Sequence, residues 1–155
     1  METIKNTIKE ATSSKSPFEP GFKVPISHQE PPGRQGELPI EPLNDKIPTE
    51  DGGLQSYKAA GKLQDKKALL TGGDSGIGRA IAILYAMEGA DSFIVYLPVE
   101  EDDAQETKRQ VEKLGRNCHL MSIDLRKAEN CQKVVDAALQ KMGRVNILVA
   151  KPPQP

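Results

Sequence analysis

Between residues 69 and 80 the chain reads LLTGGDSGIGRA, with Gly72, Gly73, Gly76 and Gly78 crowded into seven positions between two apolar runs. Glycine gathered in this way serves a backbone that must enter conformations closed to other residues, or must let a ligand approach where a Cβ would obstruct. A turn of that kind that opens a helix presents N–H groups and the positive end of the helix dipole, which suits a phosphate. Gly72, Gly76 and Gly78 would serve the tight turn, the close approach of backbone to a pyrophosphate, and the packing of helix against strand. Ser75 adds a hydroxyl. Gly73 and Gly78 also have the Gly-x-x-x-x-Gly spacing of a P-loop, but Arg79 and Ala80 stand where Lys and Ser or Thr would grip phosphate and magnesium, and that alternative fails.

Other reactive residue types are sparse. Cys118 and Cys131 lie thirteen apart without a Cys-x-x-Cys, and only His28 and His119 could join them. That spacing suits neither a zinc site nor a disulfide framework. Packing or surface exposure is the expectation for Cys118 and His119, and solvation for His28. The acids Glu100 to Asp103 lack the alternating oxygen spacing and central glycine of a calcium loop. They are expected as a solvated helix head, so no metal site is assigned.

These residues need elements to position them. KKALLT (66 to 71) is a short apolar run that suits a strand buried on both faces. GIGRAIAILYAMEG follows, with Ile77, Ile81, Leu84 and Tyr85 at helical steps and a stop at Gly89. DSFIVYL (91 to 97) is a β-branched and aromatic strand closed by Pro98. The next helix places acids at its head and Lys108, Arg109 and Lys113 toward its tail, the order that a helix dipole favours, with Ala104, Thr107, Val111 and Leu114 inward. CHLMSIDL (118 to 125) reads as a third strand. KAENCQKVVDAALQKMG reads as a helix with Cys131, Val134, Val135, Ala138 and Met142 inward, and VNILVA (145 to 150) as a fourth strand. The β-α-β-α-β-α-β alternation, with long crossovers and no hairpin signal, predicts an α/β fold with an open, doubly wound parallel sheet.

The first 62 residues break that regularity. Eight of the chain's 12 prolines (Pro17, Pro20, Pro25, Pro31, Pro32, Pro39, Pro42 and Pro48) fall there, and no apolar period settles. An extended or disordered arm is expected over 1–62, then an incomplete domain over 63–150 and a proline-rich tail over 151–155. The opening METIKNTIKEATSSKS could align Ile4, Ile8 and Ala11 on a short helix, but Glu2, Glu10 and the lack of Arg oppose a mitochondrial presequence, and a frayed terminus is expected. With 21 basic and 22 acidic residues and a net charge of −1, no field draws a polyanion or an anionic membrane, so nucleic acid gets no support. No apolar run approaches the ~20 residues of a membrane span, and no secretion signal is evident, so a cytoplasmic location is the default.

Taken together, TGGDSGIG is similar to the Thr-Gly-x-x-x-Gly-x-Gly turn of the short-chain dehydrogenase/reductases, and Asp124-Leu125 matches the pair that contacts adenine there. PPGRQGELPIEP, SYKAAGKLQDKKALLTGGDSGIGRA and YLPVEEDDAQET resemble the glucose/ribitol dehydrogenase-like subgroup, and the likeness covers about residues 29 to 149. It implies the N-terminal half of a Rossmann fold that binds NAD or NADP. In a complete member it implies hydride transfer between an alcohol or sugar and a carbonyl, and a homo-oligomer. The residues carried over to the cofactor are Thr71, Gly72, Ser75, Gly76, Ile77, Gly78, Asp124 and Leu125, with Tyr96 and Leu97 at the end of the second strand. NAD enzymes usually place an acid at that strand end to bond the ribose. The first acid here comes only at Glu100, and no Arg or Lys stands nearby for a 2′-phosphate; the absent acid leans the choice to NADP(H).

The likeness has an edge. The family's chemistry needs a Tyr with a Lys four positions on, plus a Ser that holds the carbonyl oxygen. Tyr57 is followed by Gly61, Tyr85 by Gly89 and Tyr96 by Glu100, and the fourth strand runs into KPPQP in place of an Asn-Asn-Ala-Gly-like turn. A truncated member without a catalytic residue is therefore expected, inactive alone, of low stability and unable to assemble normally. The alternative is a half-domain that binds the ADP part of a dinucleotide or pairs its open edge with a protein, without chemistry. KPPQP is too short for a full Pro-x-x-Pro ligand.

Overall fold

The computed structural model describes residues 21–29 and 33–151. The sequence expectations for the N-terminal helix or frayed end and for the prolines at 152, 153 and 155 lie outside those residues. Two compact units divide the chain at Tyr57 and Lys58.

In the first unit a single 3-10 turn, Gln35–Glu37, precedes a small antiparallel hairpin of β1 (Lys46–Pro48) and β2 (Leu54–Ser56). Hydrophobic period does not announce these strands, because both are exposed along their whole length. Turn chemistry forms them instead. The Thr49 and Gly52 amides bond across the turn to Gly53 and Thr49 carbonyls at 3.0 Å, and Gly52 has φ +80°. The expected structureless arm thus contains a local exception at 46–56.

The second unit is the α/β core. Its elements are β3 (Lys67–Thr71), α1 (Gly76–Met87), β4 (Asp91–Tyr96), α2 (Glu101–Lys113), β5 (Cys118–Ser122), α3 (Ala128–Met142) and β6 (Ile147–Ala150). All strand pairs are parallel, and the order β5-β4-β3-β6 runs third-second-first-fourth, that of a doubly wound sheet. Alternate residues of β3 and β4 feed opposite faces. Leu70, Ile94 and Tyr96 pack under α1 and α2 with Ala82, Ala86, Ala104 and Val111; Leu69, Phe93 and Val95 pack under α3 with Val134 and Ala138. Both strands are buried almost throughout, which is why their sequences read as unbroken apolar runs.

The helix faces match the periodic expectation in part, with Ile81, Tyr85 and Met142 packed against the core, and differ elsewhere. On α1 the buried stripe is Gly78, Ala82, Ile83 and Ala86, while Ile77 is 70% exposed. Small residues four apart let α1 lie close to the sheet, and that proximity decides the inward face over side-chain size. On α3 only Val134 and Ala138 are buried; Cys131 is exposed and Val135 is 42% exposed. Leu114 of the α2 stripe is likewise exposed. The third and fourth strands are shorter than predicted, which leaves Asp124 and Leu125 beyond the end of β5. Ahead of β3, residues 60–65 are tied to the end of α1: the Ala60 and Lys62 amides donate to the Glu88 carboxylate, and the Asp65 amide to the Gly89 carbonyl.

Candidate functional site

Parallel strands deliver their carboxyl ends to one side of a sheet, and the strand order here reverses at β3, whose neighbours are β4 and β6. Ligands of open α/β sheets sit in that crevice. Thr71 ends β3, and the turn 72–75 leads from it to α1. Gly72 adopts φ +64°, and its amide donates to the Val95 carbonyl at 2.8 Å, which stitches the start of the turn to β4. A Cβ on Gly78 would stand 1.9 Å from the Gly72 carbonyl oxygen, so the first turn of α1 touches the loop backbone through hydrogen alone. Gly76, at φ +53°, has open space where a side chain would project. Ser75 precedes the helix in an extended conformation and makes no side-chain cap. The first turn of a helix is its positive dipole end, and here its surface is stripped of side chains. The exposed Ile77 lies in the same turn.

Each remaining candidate has a definite place. The Thr71 hydroxyl donates to the Lys151 carbonyl and accepts from the Lys151 amide, both at 2.9 Å, and so braces the ends of β3 and β6 together. Tyr96 is buried and donates its hydroxyl to Glu101 at 2.7 Å; burial first, then Glu101, pushes its pKa up to about 12. The Leu97 amide is taken by the Glu100 carboxylate at 3.1 Å. Asp124 is held by Arg126, with Nε to both carboxylate oxygens at 3.0 and 2.9 Å, which lowers its pKa to about 2. The Asp124 carbonyl accepts from Asn130 at 2.8 Å, and Leu125 packs against the α3-side core. The Ile123 amide bonds to the Tyr96 carbonyl, so this loop shares the sheet end with the glycine turn.

Thr107, expected on the inward stripe, and Arg79 and Asp103, to which the sequence gives no such role, hold the turn in place. The Asp74 carbonyl accepts from Thr107 Oγ1 at 2.6 Å and Arg79 Nε at 3.0 Å. The guanidinium of Arg79, a residue only 3% exposed, also donates to Thr107 at 2.8 Å and to the carboxylate and carbonyl of Asp103 at 2.9 Å. Asp103 is consequently not part of a solvated helix head: a buried cation requires a paired anion, and the head of α2 packs against α1 to supply it. A sequence signal existed, since Asp103 and Thr107 interrupt the apolar stripe of Ala104 and Val111 with polar atoms.

The cysteines and His119 stay outside this arrangement. Cys118 is buried, and burial pushes its thiol up to about 12, while His119 is half-buried with its ring 6.3 Å from that of Phe93. Among the described residues no group of three or more His, Cys, Asp or Glu side chains is placed to hold a metal ion. No helix among them is long and apolar enough to cross a membrane.

This turn, strand order and crossover pattern define a dinucleotide-type α/β domain, and residues 66–151 match the family model described as short chain dehydrogenase. The chain belongs to the short-chain dehydrogenase family, whose members are NAD(P)-dependent oxidoreductases. It is 46% identical over 126 residues to the uncharacterized oxidoreductase YhxD of Bacillus subtilis, covering 81% of this chain and 40% of that protein. It is 39% identical over 135 residues to the glucose and ribitol dehydrogenase homolog of Oryza sativa, covering 79% of this chain and 43% of that one. The solved short chain dehydrogenase from Mycobacterium paratuberculosis bound to NAD superposes with a TM-score of 0.55 at 36% identity, over 59% of this chain and 38% of that structure. The chain therefore spans about two fifths of the length of these curated relatives.

Proposed function

We propose that this chain binds a nicotinamide adenine dinucleotide at the 72–78 turn, and that the activity of its longer relatives is the interconversion of an alcohol or sugar with a carbonyl. The observation that carries the proposal is the bare turn at the start of α1: Gly76 has open space where a side chain would project, and Gly78 packs so close to the loop that a Cβ would stand 1.9 Å from the Gly72 carbonyl oxygen. Gly76, Ile77 and Gly78 would face the pyrophosphate, Ser75 would add its hydroxyl, and Leu97, Asp124 and Leu125 would line the adenosine end. Thr71 acts by holding Lys151 and the end of β6. The dinucleotide supplies hydride chemistry when bound. For this chain alone we propose binding without turnover, because none of Tyr57, Tyr85 and Tyr96 is followed four residues later by a lysine. A cytoplasmic location goes with the same proposal.

Calorimetric titration of the purified chain with dinucleotide, beside a turnover assay over a panel of aldehydes and sugars, tests both halves. Saturable binding with no oxidation of NADH or NADPH is expected. Steady turnover would contradict the claim that no catalytic residue is present. A second reading, an interaction half-domain, draws on β6: among the described residues it pairs with β3 alone, and Leu148 on it is 63% exposed. Self-association with no dinucleotide binding would favour that reading.

A further inference from the structure

The glycine turn meets a residue from the far side of β3. β6 ends at Ala150, and the backbone of Lys151 beyond it is fixed twice: its amide donates to the Thr71 hydroxyl and its carbonyl accepts from the same hydroxyl, both at 2.9 Å. From that anchor the Lys151 side chain crosses the start of the turn. A Cβ placed on Gly72 would stand 3.4, 3.8 and 3.9 Å from Cδ, Cβ and Cγ of Lys151, so the aliphatic stem runs past the bare side of this glycine, itself at φ +64°. The residue is half-buried, and among the described residues its ammonium has no hydrogen-bond or ion-pair partner. The other charges here are spent or acidic. Arg79 stands where a P-loop has its lysine, but it is 3% exposed, with its guanidinium on Asp103, Thr107 and the Asp74 carbonyl. Asp74 belongs to the turn, Glu100 holds the Leu97 amide at the end of β4, and the charge of Lys151 reaches Glu100.

From this placement we infer, resting on the dinucleotide reading above, that the ammonium of Lys151, carried across Gly72, binds a phosphate of the dinucleotide and supplies the cation that buried Arg79 cannot. A pyrophosphate brings negative charge to a place where Asp74 and Glu100 already stand. The N-terminus of α1 offers only a partial positive charge against that repulsion, and a full cation hydrogen-bonded to phosphate offsets it. Lysine suits the position, because its flexible stem can lie along apolar backbone while three donors turn toward an anion. Thr71 bonds to the backbone of residue 151 and not to its side chain, so the ammonium can be removed without touching the brace between β3 and β6.

The test is calorimetric titration of the full chain with NAD+, ADP and adenosine at low and at moderate ionic strength, with folding followed by circular dichroism. For the unaltered chain, added salt should weaken NAD+ and ADP and leave adenosine unchanged. Lys151→Met, which keeps an unbranched stem against Gly72, should weaken NAD+ and ADP roughly tenfold, flatten their salt dependence and leave adenosine as it was. Lys151→Arg, which restores a cation, should bind all three within about threefold of the unaltered chain. A folded Met variant that holds NAD+ and ADP as tightly as the unaltered chain, or more tightly, overturns the inference and leaves the dinucleotide reading standing. An equal loss for adenosine does the same, since it would trace the effect to packing of the stem and not to its charge. A folded, unaltered chain that binds neither NAD+ nor ADP ends both.

Discussion

At the amino end of the sheet Asp91 is ringed by donors, whereas at the carboxyl end Glu100 takes the Leu97 amide and lies under the opposed charges of Asp74 and Asp103 against Lys151. Asp91 is 3% exposed and accepts from Lys67, from Arg116 Nε at 3.0 Å and from the Asn117 amide at 3.0 Å. Burial pushes its carboxyl up, but the bonds from Lys67 and Asn117 and the charge of Arg116 outweigh burial and hold it at about 2. No such ring surrounds Glu100, whose carboxyl is raised. One end spends its polar groups on itself, tying β3, β4 and the start of β5 together. The other brings together the glycine turn, the N-terminus of α1 and the loops that follow β4 and β5. The contrast teaches that the amino end of the sheet is closed by its own ion pairs, while the carboxyl end carries the glycine turn.

The largest effect should come from placing a side chain in the glycine seat. Gly78→Ala forces a methyl against the Gly72 carbonyl, a backbone atom that cannot rotate away. We expect dinucleotide binding to be lost and stability to fall by about 3 kcal/mol, as overpacking at a rigid contact does, with urea unfolding and calorimetry as the readouts. If the variant binds normally, the seat is not where the ligand lies.

Next in size, Asp91→Asn should lower stability by about 2 kcal/mol, because it strands Lys67 and Arg116, and should leave dinucleotide affinity unchanged. The sign of its pH dependence follows from a folded pKa near 2, below the ordinary aspartate value of 3.8. The unfolded chain takes up the proton first, so the stabilisation is fully present above about pH 5 and disappears as pH falls through 4 toward 2, by about 2 kcal/mol in all. Unfolding curves at pH 6 and pH 3 should therefore differ less for Asp91→Asn than for the parent chain. A matching loss in both would assign the acid sensitivity to other carboxylates.

Thr107→Val should have the smallest effect on folding and the reverse selectivity. It removes the bond to the Asp74 carbonyl and the one accepted from Arg79 Nε at nearly constant volume, with an expected cost of about 1.5 kcal/mol and a few-fold weakening of dinucleotide binding as the turn loosens. Unchanged binding would show that Arg79 alone holds the turn.

These outcomes probe parts of the molecule that differ in how far sequence reveals them. The β-α alternation was legible because β3 and β4 are covered on both faces and therefore carry apolar runs that a glycine stop or turn punctuates. The glycine turn was legible because its constraint is local: Gly72 and Gly78 meet within seven residues. What α1 buries was not, since Gly78, Ala82 and Ala86 carry little hydrophobic signal and win the inward face by being small. Thr107 is legible as an inward position, but the Arg79–Asp103 pair is not, because a buried ion pair looks, in sequence, like two surface charges 24 residues apart. Glu100 was read as absent from the strand end for a similar reason, since a single 3-10 turn displaces it in sequence but not in space.

Amide NMR of the labelled chain during titration with NAD+ tests directly whether the 72–78 turn is the ligand seat. Saturable shifts of the Gly72, Gly76, Ile77 and Gly78 amides, joined by Leu97 and Leu125, with Asp91 and Asn117 unmoved, are what the two-ended sheet predicts. Saturable binding that leaves those glycine amides unchanged, or that moves the Asp91 end instead, would contradict it.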